Sequence, residues 1–186
     1  DEIKKAGTHL LELINGILDL SRIESGKLEI VIEPLELNPL IDECFSLIDP
    51  IATKHAITLD NQVTQPFQVQ ADAVRLKQCL LNLLSNAIKY NCPNGKVTLK
   101  TEVIADMLKL SVIDTGPGIA ADKLDKLFQP FERLGKNQEA IEGTGIGLTI
   151  TRQLIELMHG NVGIESELGA GSTFWMTIPR IIHEDD

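Results

Sequence analysis

Positive charge is in short supply. The 186 residues carry 17 Lys and Arg against 27 Asp and Glu, a formal net charge of −10. So acidic a chain lacks the basic face that broad nucleic-acid binding needs, and it is repelled by anionic membrane surfaces. No nucleic-acid partner is expected, and any polyanionic ligand must be held by local groups. Long apolar runs are lacking too. None approaches the roughly 20 residues of a membrane span, and no signal peptide is expected within these residues. Cysteine is scarce: Cys44, Cys79 and Cys92 are odd in number and lack metal-ligand spacing. They read as small core residues or bystanders in a reducing compartment, so a cytoplasmic location is expected. Repeats and low-complexity tracts are missing as well. The chain opens without Met inside a helical pattern, which points to a piece of a longer protein whose remainder is free to carry a membrane anchor. What is present is ordinary: 43% apolar and 24% charged residues, enough for one globular core with an appendage.

Residues 1–25 read as one long helix. Ile3, Ala6, Leu10, Leu13, Ile17 and Leu20 step by three and four, a heptad seam, and Leu11, Ile14 and Leu18 widen the stripe beyond what one partner covers. Ser25-Gly26 ends it. The partner of this seam is expected outside the chain or on a second copy, with packing on the chain's own globular part as the alternative. A strand interrupted by Pro34 is expected over 28–37, then a helix from Asn38-Pro39 to about Lys54, kinked or shortened at Pro50. Short strands follow at 57–63 and 67–70. Asp72 is the expected N-cap of the next helix. Residues 96–104 and 108–114 alternate as a hairpin about Ala105-Asp106. Residues 115–144 dissolve into Gly, Pro and charge with one short helical piece at 122–127, a length that marks a functional loop or lid. A helix over 146–158 and strands at 161–165 and 173–178 close a body spanning 26–180. The tail, 181–186, is expected to fray together with Arg180. Strands and helices that mix without strict alternation indicate an α+β two-layer sandwich.

Several stretches carry groups suited to chemistry. In the helix Leu76–Tyr90, Leu76, Leu80, Leu83, Leu84 and Ala87 form a core stripe, while Asn82, Asn86 and Lys89 share another face. Amide oxygens and an ammonium suit a hard cation and phosphate; a solvated helix flank is the plain alternative. In Asp114-Thr115-Gly116-Pro117-Gly118, Asp114 shares a strand face with Leu108, Leu110 and Val112, so it points where the core points. A buried carboxylate needs a donor, and an adenine amino group is one; an Asx turn is the simpler alternative. Phe128 and Phe131 stand in the polar loop, where they either clip it to the body or merely anchor it, with Arg133 two residues on. Gly143-Thr144-Gly145-Ile146-Gly147-Leu148 opens a helix whose backbone N–H groups suit phosphate. Its spacing is not that of a dinucleotide fingerprint, and no Gly-Lys-Ser/Thr follows as in a Walker loop.

In this order, the Asn/Asn/Lys helix, Asp-x-Gly-x-Gly, Phe-x-x-Phe and Gly-x-Gly-x-Gly resemble the N, G1, F and G2 boxes of sensor histidine kinases. Gly169-Ala170-Gly171-Ser172-Thr173-Phe174 resembles a further glycine box, and residues 7–28 resemble the second helix of that family's dimerisation hairpin. The resemblance implies a Bergerat-type (GHKL) sandwich, with a mixed sheet, helices on one face and a long helix in front. It implies ATP and Mg²⁺ as cofactors. Asn86 would bind the metal through its amide oxygen, with Asn82 beside it and Lys89 on phosphate. Tyr90 would line the nucleotide, Asp114 would accept from the adenine amine, and Gly116 and Gly118 would shape that pocket. Phe128 and Phe131 would steer the lid, and Arg133 would lie near the γ-phosphate. Gly143, Thr144, Gly145, Gly147 and Leu148 would wrap the phosphates, and Thr173 would sit under the adenine. The implied partners are the phosphoacceptor-histidine helix of the parent kinase, a response-regulator receiver domain and, through the N-terminal helix, a second copy.

Two departures from related proteins matter. Hydrolytic relatives such as DNA gyrase carry Glu four residues before the metal Asn; here that residue is Asn82, a poor base at neutral pH. Slow hydrolysis and transfer to a protein nucleophile are therefore expected. None of His9, His55, His159 and His183 stands in the family's phosphoacceptor pattern, so the acceptor histidine is expected elsewhere in the parent. A serine kinase or weak ATPase of the same fold, and a non-catalytic nucleotide-binding or dimerisation module, are the alternatives.

Overall fold

The computed structural model describes residues 2–131 and 144–182. Helix α1 (Glu2–Glu24) leads into a two-layer body. One layer is a five-stranded mixed sheet of β2 (Thr58–Asn61), β4 (Lys96–Ile104), β5 (Met107–Asp114), β7 (Gly171–Pro179) and β6 (Val162–Glu167), in that spatial order. The β2–β4 pair is parallel and the remaining pairs are antiparallel. Helices α2 (Leu37–Lys54), α3 (Ala73–Lys89) and α5 (Gly147–Leu157) form the other layer, and the single turn of α4 (Ala121–Leu124) lies in the connection between β5 and α5. A separate two-stranded sheet pairs β1 (Glu33–Glu36) with β3 (Gln68–Ala71).

The periodicities explain the layers. β5 alternates strictly, so Leu108, Leu110, Val112 and Asp114 are buried on the helix side. α3 buries Leu76, Cys79, Leu80, Leu83, Leu84, Ala87 and Ile88 against them. Each such leucine contributes about 1.5–3 kcal/mol by leaving water. Asp72 caps α3 as expected: Oδ1 accepts from Arg75 N–H (3.0 Å), while Oδ2 accepts from Val31 N–H (3.0 Å) and so ties down the incoming linker. Burial pushes the Cys79 thiol up to about 12 and the Cys44 thiol to about 11, so both stay protonated and act as core residues.

Four expectations change. The strand at 28–37 shrinks to β1, where Pro34 is tolerated because the two-stranded sheet consists of edges alone. α2 begins at Leu37 and runs through Pro50 to Lys54. Pro50 is solvent-exposed, and Ile48 and Ala52 are buried on either side of it, so the helix is anchored to the core both before and after the proline and is not shortened by it. Arg180 and Ile181 are tied rather than frayed: their N–H groups donate to Asp106 O in the β4–β5 turn and to Gln68 O of β3, at 2.9 Å each. Finally, α1 is two-sided. Leu13 and Ile23 pack on the body and Gly16 lies against Ile146 and Ile150, while Leu10, Leu11, Ile14, Ile17 and Leu18 remain exposed. No helix among the described residues is long and apolar enough to cross a membrane.

Candidate functional site

Several of the predicted residues lie on α3, at the end of β5 and at the start of α5, and α3 packs on both of the other two elements. Asn82, Asn86 and Lys89 lie on one face of α3, all partly buried. Asn82 is already engaged. Its Nδ2 donates to Thr151 Oγ1 (2.9 Å), and a methyl group on Gly147 would lie 2.4 Å from its Oδ1. Glycine at 147 is what lets α5 seat its first turn on α3. Asn86 and Lys89, by contrast, carry no side-chain bond to any other described residue. Tyr90 is half-exposed just beyond α3.

Asp114 ends β5 between Val97 of β4 and Ser172 of β7. It is buried to 6% exposure. Oδ1 accepts from Gly116 N–H (2.8 Å) and from Ser172 N–H (3.3 Å). Burial raises the carboxyl above its ordinary pKa, and the two N–H groups pull it partly back. The Asx turn and the buried acceptor are thus both present: Oδ1 closes the turn, and neither N–H group uses Oδ2. A methyl group on Gly116 would lie 2.6 Å from Tyr90 O, so the turn packs against the end of α3. Gly118 has φ 71° and is confined by the neighbouring backbone. A methyl there would lie 1.9 Å from Glu167 O, so its close approach is to the β6–β7 turn. Thr115 Oγ1 donates to Asn91 Oδ1 (3.0 Å) and accepts from Lys96 N–H (2.9 Å), tying this loop to the chain beyond α3.

The described ends of the long loop are fastened to α5. Phe128 O accepts from Thr149 Oγ1 (3.1 Å), the Arg152 guanidinium lies 5.4 Å from the Phe128 ring centre, and Phe131 N–H donates to Gly145 O (2.9 Å). The Phe131 ring is exposed. Thr144 Oγ1 accepts from Ile146 N–H (3.3 Å), Gly145 turns at φ 71°, and Leu148 packs on the core. Among the described residues no side chain caps the start of α5, so its first N–H groups have no side-chain acceptor there. The predicted Arg133 and Gly143, like His183, lie outside the described residues.

The strand register separates Thr173 from Asp114. Asp114 pairs with Ser172 and Ile113 with Thr173, so Ser172 shares the helix-side face and Thr173 the opposite one. Ser172 is also buried, on the same face of β7 as Phe174, a phase that the sequence shows only once the strand is paired. Thr149, Thr151 and Asn91 were missed too; only packing reveals them.

Residues 71–182 match the family model described as histidine kinase-, DNA gyrase B- and HSP90-like ATPase. The chain belongs to this ATPase family. An uncharacterized sensor-like histidine kinase of Rhizobium meliloti is 40% identical over 95% of this chain and 34% of its own length. The circadian input-output histidine kinase CikA of Synechococcus elongatus is 42% identical over 96% of this chain and 24% of its own. Full-length ShkA, solved in complex with AMPPNP, is 33% identical, superposes with a TM-score of 0.86, and is covered over 38% of its length by 98% of this chain. The chain therefore spans between 24% and 38% of the length of these relatives. Within this ATPase family, the mixed sheet and helix layer are the shared body, and the features above are how this chain builds it.

Proposed function

We propose that this chain is the ATP-binding catalytic module of a sensor histidine kinase, residues 26–180, preceded by the second helix of its dimerisation hairpin, residues 1–25. The observation that carries the reading is the buried Asp114 carboxylate, with Oδ1 held in a turn and Oδ2 left over, at the foot of a family-specific glycine loop. There it would accept from the adenine amine. The residues fit the rest of Mg-ATP. Asn86 would hold the cation through its amide oxygen and Lys89 would meet phosphate; neither is committed elsewhere among the described residues. The uncapped start of α5 offers N–H groups to anions. Among the described residues no cluster of His, Cys, Asp or Glu could cage a metal, which suits an ion held largely by phosphate and water. ATP supplies the phosphoryl group and Mg²⁺ neutralises its charge. Gly143 and Arg133 would complete the phosphate side.

Asn82 donates to Thr151 and has no basic oxygen to activate water, so this site would be slow at hydrolysis and would serve a protein nucleophile. The acceptor would be a histidine on the first hairpin helix of the parent, with the exposed Leu10, Leu11, Ile14, Ile17 and Leu18 facing that helix or a second copy. A receiver domain would take the phosphate onward; a histidine kinase 28% identical to this chain has been solved in complex with its response regulator. The test is to incubate γ-labelled ATP with a longer chain that includes the first hairpin helix. Acid-labile, base-stable label on protein is expected. Label that survives acid, or release of phosphate alone, overturns the kinase reading.

A further inference from the structure

Ser166, near the end of β6, joins three parts of the site and has no role in the reading above. Its Oγ accepts from Ile119 N–H at 2.8 Å, just past the glycine loop. It donates to Gly171 O at 2.9 Å and lies 2.9 Å from Ser172 Oγ. Ser172 N–H in turn donates to Asp114 Oδ1. The surrounding backbone is fitted just as closely: Gly169 N–H donates to Pro117 O (2.8 Å), and a methyl on Gly171 would lie 2.1 Å from Asp114 O. The loop from Asp114 to Ile119 is thus laid on the β6–β7 turn, with the Ser166 hydroxyl bonded to both.

A hydroxyl has one hydrogen. When Ser166 gives it to Gly171 O, Ser172 donates back to Ser166 and shows lone pairs to the Asp114 side. When Ser166 turns it to Ser172 Oγ, the Ser172 hydrogen is released toward that side. Ser166 therefore governs whether the residue beside Asp114 donates or accepts.

We propose that Ser166 is a positioning residue for base selection: it fixes the loop that carries Asp114 and sets the direction of the Ser172 hydroxyl. The inference rests on Asp114 as acceptor of the adenine amine. A merely structural Ser166 would weaken all nucleotides together. A positioning Ser166 weakens those that present an amine.

The experiment measures Kd for ATP and for inosine triphosphate, whose base carries a carbonyl in place of the amine, on the 186-residue chain with Mg²⁺. Ser166→Ala should weaken ATP about 10-fold and inosine triphosphate less than about 2-fold, while Ser166→Thr, which keeps the hydroxyl, should restore discrimination to within about 2-fold of the parent. Ser172→Ala leaves the Ile119–Ser166–Gly171 bonds in place and should show the same selective loss, which keeps the test available where Ser166→Ala does not fold. Equal weakening of both nucleotides by the alanine variants, or no change in either, overturns the proposal. A parent chain that binds both nucleotides alike instead overturns the reading of Asp114 itself.

Discussion

The two ends of the site are built on different plans. At the Asp114 end, polar groups are already spoken for: Oδ1 holds two N–H groups, Ser166 and Ser172 share a hydroxyl network, and Thr115 is bonded to Asn91 and Lys96. On α3, Asn86 and Lys89 stand about one turn apart with no side-chain partner among the described residues, and among those residues the start of α5 has no side-chain cap. The first end is preorganised by the fold, and the second is left for a ligand to complete. A rigid end reads shape and hydrogen-bond pattern without reordering; an open end takes a charged group with its own ion and water. Selectivity should therefore reside at Asp114 and cation dependence at Asn86, and mutation should separate the two.

The largest effect is expected at Asp114. In Asp114→Asn the amide oxygen takes over both N–H bonds, which places the NH₂ where Oδ2 stood. Donor then faces donor, so ATP affinity should fall about 100-fold while inosine triphosphate loses little or gains. Unchanged ATP binding by calorimetry would remove Asp114 from the site. The same variant should raise the thermal midpoint of the ligand-free protein. Burial raises the Asp114 pKa in the folded state, so its contribution to stability is fully present below the unfolded pKa and is lost as pH rises through the folded one. Asn carries no such loss. Its advantage should be largest at neutral pH and vanish in acid, the sign opposite to that of an ion-paired carboxylate.

Next is Gly118→Ala, which attacks the rigid end sterically. A methyl 1.9 Å from Glu167 O, on a residue at φ 71°, cannot be accommodated without moving the β6–β7 turn. A loss of about 2–3 kcal/mol in denaturant unfolding is expected, with ATP binding lost alongside. An equally stable variant would mean that the loop and turn are not the single rigid unit described.

Asn86→Ala probes the open end. ATP affinity in Mg²⁺ should drop about 10-fold, affinity in chelator should stay put, and the thermal midpoint should hold or rise slightly because Ala is the better helix former. A variant that weakens binding with and without the ion would assign Asn86 to shape rather than to the cation.

How far the sequence carried this picture depends on what each residue answers to. The α3 stripe, the Asp72 cap and the buried face of β5 follow from periodicity and local chemistry, and they were legible. Thr173 came from the resemblance alone; the pairing of β7 with β5 sets the phase of that strand and puts Ser172 opposite Asp114. The need for glycine at 118 is set by Glu167, which lies 49 residues on in the chain. Pro50 reads as a breaker, and only the buried residues on both sides of it keep the helix going. Contacts distant in sequence were the part that local patterns do not encode.

The smallest predicted effect lies where the two ends are joined by the loop. Thr149 Oγ1 donates to Phe128 O from a position 6% exposed, and Phe131 N–H reaches Gly145 O one turn earlier. Thr149→Val keeps the shape, and the two residues have similar helix propensity, so global stability should move by no more than about 1 kcal/mol. Phe128 O loses its donor, however, and the segment it anchors should open more often. Amide exchange at Phe131 should quicken about 5-fold, the change expected for about 1 kcal/mol of local stability, while exchange in the buried strand β5 stays as it was. Exchange that rises equally in both places would mean the hydroxyl supports the whole fold; exchange unchanged at Phe131 would mean the loop end is held by the Arg152–Phe128 contact instead.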